Sequence, residues 1–121
     1  MSRPSTYLDN LFDSFVTSEN PDKRKEAAKS SKHAVKLIND KDPDVRRQVV
    51  KHKELAHHFI NDKDPIVREQ VAKHKELAHH FINDKFWRVK MQVAQHKHLA
   101  HHFINYKDPL VKEQAKRTLE V

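Results

Sequence analysis

The chain has 121 residues, 36% of them hydrophobic, and a net charge of +7. It contains no Cys and no Gly, which excludes disulfides, thiolate metal sites, cysteine nucleophiles, Gly-rich phosphate loops and the dinucleotide fingerprint. One quasi-linear domain is expected at this size, and a basic excess of this magnitude favours an acidic partner: nucleic acid, an anionic membrane surface or an acidic protein face.

Residues 1–19 carry Arg3 against Asp9, Asp13 and Glu19, a balance of −2, so +9 resides in the remainder. The segment has no long apolar run, so neither signal peptide nor membrane span is expected, and a cytoplasmic protein is the default. Tyr7, Leu8, Leu11, Phe12, Phe15 and Val16 recur at helical spacing and predict an amphipathic helix that caps the repeats C-terminal to it, with Ser5 or Thr6 as its N-cap.

From residue 20 onward the chain repeats every 22 residues. Residues 42–63 and 64–85 match at 19 of 22 positions, and 86–107 keeps 14 of 22 against the second of these. A weaker copy spans 20–41, with Lys23 where later copies have Val and His33 where they have Leu, and half a copy spans 108–121. Such periodicity signals stacked supersecondary units, each burying its apolar face only against its neighbours.

Each unit reads as two short helices. Asp42, Asp64 and Asp108 are expected N-caps, with Pro43, Pro65 and Pro109 at the first helical position. Val45, Val49 and His52 share one face of the first helix, whereas Arg47 and Lys51 point away. The second helix, roughly 53–60, groups Leu55, Ala56, Phe59 and Ile60 and turns Glu54 and His57 outward. In the absence of Gly, Asn39, Asn61, Asn83 and Asn105 are placed to end it in the left-handed conformation.

The segment D-x-x-x-x-V-R, at Asp40/Val45/Arg46 and Asp62/Val67/Arg68, together with the run DPxVRxxVAxH, resembles HEAT-like α-helical repeats, closest to the leucine-rich variant repeat. The resemblance covers about 20–121, with a period shorter than is usual for either family. It implies an all-α fold, a right-handed α-solenoid in which Asp and Arg form a ladder of hydrogen bonds between adjacent units. The basic series Arg24, Arg46, Arg68, Lys90 and Lys112 would belong to that ladder, with arginines on Asp40 and Asp62. Lys51, Lys73 and Arg117, with Lys53, Lys75 and Lys97, form a second row, either simply solvated or suited to an extended anionic partner.

There are 11 histidines. His52, His74 and His96 stand at the junction between the two helices, where the outer units have Ser30 and Thr118, and are expected to accept from a backbone N–H of the second helix. His57, His79 and His101 face outward, with His58, His80 and His102 at the edge of the packed face. His98 stands i, i+4 from His102 and i, i+3 from His101, a spacing able to hold a cation, yet no carboxylate or thiol completes a tetrahedral set, so no metal or other cofactor is expected.

The third full copy changes character. Phe86-Trp87-Arg88 replaces Asp-Pro-Ile, Met91 replaces Glu69 and Tyr106 replaces Asp84, so these substitutions bring in three aromatics and remove three acids. That composition suits an interface hot spot, or rings that fill an altered gap between repeats. No nucleophile elbow, HExxH or phosphate loop is present. The expected function is therefore a non-catalytic interaction module, adaptor or inhibitor. It would bind a protein partner, one with an acidic surface, through Phe86, Trp87, Arg88, Met91 and Tyr106 and through Lys51, Lys53, Lys73, Lys75 and Lys97. Nucleic acid on the Lys/Arg rows is the alternative, and the half repeat offers a surface for self-association.

Overall fold

The structure, a computed structural model, describes residues 7–120. The expected N-caps Ser5 and Thr6 lie outside the described residues. Seven α-helices and four 3₁₀ segments, with no strand, make up the regular structure of the described residues. They divide after His58 into two compact units.

In the first unit α1 (Tyr7–Phe15) packs on α2 (Pro21–Ala27), α2 packs on α4 (Pro43–Val50), and α3 (Ser31–Ala34) continues into the 3₁₀ turn Val35–Leu37 against α4. Asn20 Oδ1 accepts from the Asp22 N–H at 2.9 Å and Asp42 Oδ1 from the Asp44 N–H at 2.8 Å, with Pro21 and Pro43 opening the helices. These side chains satisfy N–H groups that the helix itself leaves open. Ala27, Ala28, Ala34, Leu37, Val45, Val49, Val50, Leu55 and Ala56 are buried.

Two departures of the weak first copy meet α1. His33, fully buried, places Nδ1 2.9 Å from Ser30 Oγ and Nε2 2.8 Å from Asp13 Oδ1, and Phe12 meets its ring edge-on at 5.6 Å. The Lys23 ammonium lies 5.7 Å over the Phe15 ring. A polar ring is stable in that core because both its nitrogens have partners.

In the second unit α5 (Pro65–Val71), α6 (Trp87–Ala94) and α7 (Pro109–Glu120) pack in chain order, and the 3₁₀ segments Ala78–Phe81 and Ala100–Phe103 pack on α6 and α7. Asp64 and Asp108 cap α5 and α7 through the Ile66 and Leu110 N–H groups, both at 2.9 Å. Val67, Val71, Val89, Val93, Val111, Phe81, Phe103 and the alanines between them form the core. Each buried Val or Phe contributes about 1.5 to 3 kcal/mol by burial, which short helices need because they are marginal alone.

Two expectations are corrected. The second helix of each full repeat is a 3₁₀ segment, Lys53–Phe59 in the first of them, because so few residues separate its start from its end that i→i−3 bonds such as Leu55 N–H to His52 O form first. The asparagines do not use the left-handed conformation: no described residue has positive φ. Instead the residue after each Asn donates back three positions, as in Asp40 to Leu37, Asp84 to Phe81 and Tyr106 to Phe103, and closes the turn with ordinary dihedrals.

Candidate interaction surface

The ladder determines which charges remain free. Arg24 donates from Nε to Asp40 Oδ2 at 2.8 Å and from Nη2 to Oδ1 at 3.2 Å, and Arg68 repeats the fork on Asp84 at 2.9 and 3.3 Å. Hydrogen bonding to Asp40, with that carboxylate's charge, raises the Arg24 pKa above its ordinary value against the opposing effect of burial. The pairing differs from the one the motif implied. The carboxylate goes to the Arg sixteen residues before it, while the motif Arg six residues after takes the Asp carbonyl: Arg46 Nη1 to Asp40 O and Arg68 Nη1 to Asp62 O, both at 2.9 Å. Each Asp also accepts the N–H two residues ahead, at Asp42, Asp64 and Phe86, each at 2.9 Å. An Asp at this position thus fixes the turn into the next helix.

In residues 86–107 the pair is exchanged as a whole. Lys90 takes the arginine's place and Tyr106 the aspartate's; the Lys90 Nζ donates to the Tyr106 hydroxyl and lies 4.6 Å over its ring. Tyr106 also meets Phe103 edge-on at 5.8 Å. Of the sequence-derived patch, Tyr106 is therefore engaged inside its own repeat.

Phe86 and Trp87 behave differently. Phe86 occupies the N-cap of α6, half-buried and with no side-chain cap bond, and Trp87 follows at the first helical position, 42% exposed. Arg88, also exposed, reaches Glu69 at 3.4 Å, and Met91 is half-buried on the same helix. Lys51, Lys53, Lys73, Lys75 and Lys97 are all exposed. Lys97 follows the C-terminal end of α6, whereas Phe86 and Trp87 open it, so about 12 Å of helix separates them. Lys73 and Lys75 likewise follow α5 rather than precede it.

A shallow groove lies entirely within the second unit, lined by residues of the turns that precede α5 and α6, including Ile60, Pro65, Phe86, Lys63 and Lys85. Sequence reasoning passed over these two lysines. The signal was present, since Lys41, Lys63, Lys85 and Lys107 recur at the period of the repeat, each just before a helix start.

Two of the junction histidines, His52 and His96, are donors rather than acceptors. His52 Nε2 lies 2.7 Å from Ala28 O, His96 Nε2 lies 2.8 Å from Ala72 O, and the Thr118 hydroxyl donates to Ala94 O at 2.6 Å. A ring nitrogen facing a carbonyl must carry the proton, so each side chain ties its repeat to the carboxyl end of a helix one repeat earlier. His57/His58, His79/His80 and His101/His102 are exposed pairs of tilted rings, 4.1 Å between centroids. Among the described residues no group of three His, Cys, Asp or Glu is placed to hold a metal ion, and no helix is long and apolar enough to cross a membrane. Comparison with family models, with curated proteins and with solved structures found no match to this chain.

Proposed function

We propose that the chain is a non-catalytic HEAT-like interaction module, a cytoplasmic adaptor or inhibitor whose short two-helix repeats stack as an α-solenoid and bind a protein partner. The ties that cross from one repeat to the next support the stacking: arginine bonds to the carbonyl six residues back and histidine bonds to a carbonyl 24 residues back appear in both units. The observation that carries the function is the start of α6. There a large indole stands 42% exposed where sister repeats place proline behind an aspartate cap. An exposed aromatic beside a lost cap points to a surface that another protein covers.

The test is quantitative mass spectrometry of proteins retained by the wild-type chain and by Phe86→Asp/Trp87→Pro. Loss of specific proteins from a folded double variant is expected; the same set retained by both would overturn the reading. A second reading, nucleic acid, is favoured by the exposed Lys73, Lys75 and Lys97. It requires log affinity against log salt to slope by about −0.7 to −0.9 per phosphate neutralised.

A further inference from the structure

The groove in the second unit has a volume of about 700 Å³, with Ile60, Pro65 and Phe86 as apolar lining and Lys63 and Lys85 among its polar residues. Its capacity to hold a ligand depends on which of its groups are already used. Arg68 spends two N–H groups on Asp84 and a third on the carbonyls of Asp62 and Lys63. Asp62 Oδ1 accepts the Asp64 N–H, and Asp84 Oδ1 accepts the Phe86 N–H. Both ammonium-bearing residues are exposed, and no ion pair engages Lys63 or Lys85 among the described residues. An incoming molecule therefore meets an apolar surface flanked by two cations.

We propose that this groove takes a short acidic segment of a partner protein, with a large apolar side chain against Phe86 and carboxylates on Lys63 and Lys85. The inference rests on the reading of the chain as an interaction module and names its occupant. Charge complementarity selects the acidic segment, because a basic or neutral one would leave the two ammonium groups without a counter-charge. The apolar lining selects a peptide over a nucleic acid. A single strand binds to stacked planar faces along a basic track, whereas here aliphatic Ile60 and Pro65 accompany one half-buried ring. The wall's backbone groups named above bond internally, so side chains rather than strand addition provide the recognition.

The test is selection of a random peptide library displayed on phage against the full chain, with the enriched peptides then titrated by the fluorescence of Trp87, the single tryptophan. Enriched peptides are expected to carry several Asp or Glu around a large apolar residue. Lys63→Glu/Lys85→Glu should weaken them at least about tenfold, whereas Lys97→Glu, at the far end of α6, should leave them unchanged. Should the reversal variant lose its helical circular dichroism, Lys63→Gln/Lys85→Gln replaces it. Neutral or basic enriched peptides, an equal loss with Lys97→Glu, or no enrichment would overturn the proposal. So would tighter binding of a fluorescein-labelled single-stranded oligonucleotide that the same two lysines control. Peptides that depend on Trp87 but not on these lysines would remove the acidic occupant while leaving the interaction module standing. That module fails separately, if wild type and Phe86→Asp/Trp87→Pro retain the same proteins.

Discussion

Residues 20–41 and 86–107 both depart from the shared repeat, and they do so to different ends. In the first, Lys23 and His33 replace apolar residues, and each departure is answered by α1: Phe15 under the ammonium, Asp13 and Phe12 on the imidazole. In the second, Lys90 and Tyr106 answer one another, but Trp87 is left exposed. A departure matched by a partner within the chain maintains the fold. One left uncovered is the feature on which the proposed interaction surface rests.

Phe81→Ala should destabilise by about 3 kcal/mol or more, since the ring is 2% exposed, and a thermal melt followed by circular dichroism measures it. An unchanged melting temperature would mean that the packed face of the repeat is assigned wrongly. Next, Asp84→Ala removes both the fork from Arg68 and the acceptor for the Phe86 N–H, and should cost about 2 to 3 kcal/mol in urea denaturation. It should cost more than Tyr106→Phe, because the latter keeps the ring over which Lys90 sits.

The contrast between answered and unanswered departures is sharpened by Phe86→Asp/Trp87→Pro. Restoring the sister cap should leave stability equal or slightly higher while weakening partner binding by about 2 kcal/mol, measured by calorimetry once a partner is identified. Unfolding of this variant would place both rings in the core. Conversely, Asp13→Ala should lower stability by about 1 to 2 kcal/mol by leaving the buried His33 Nε2 without its acceptor. No loss would mean that α1 docks without this bond. The smallest effect is expected for Tyr106→Phe, about 1 kcal/mol for one hydrogen bond, read in the same urea titration.

The all-helical class, the 22-residue period, the Asp-Pro helix starts and the buried Val, Ala and Phe positions are legible in the residues alone, because capping and helical spacing act over a few residues and need no distant partner. Phe86 and Trp87 also stand out, since a broken repeat is visible without coordinates. Which side chains pair is not legible in the residues alone. That Asp40 holds Arg24 rather than Arg46 through its carboxylate, that His33 answers Asp13, and that His52 donates to Ala28 O all join residues 16 to 24 positions apart. The same holds for the lysines. Every copy presents several at equal spacing, and only the packing of the turns around Phe86 shows that Lys63 and Lys85 line the groove while Lys97 stands at the other end of α6. Chain pattern assigns a residue to a helix face or a turn, but which side chains meet depends on how separate helices come together.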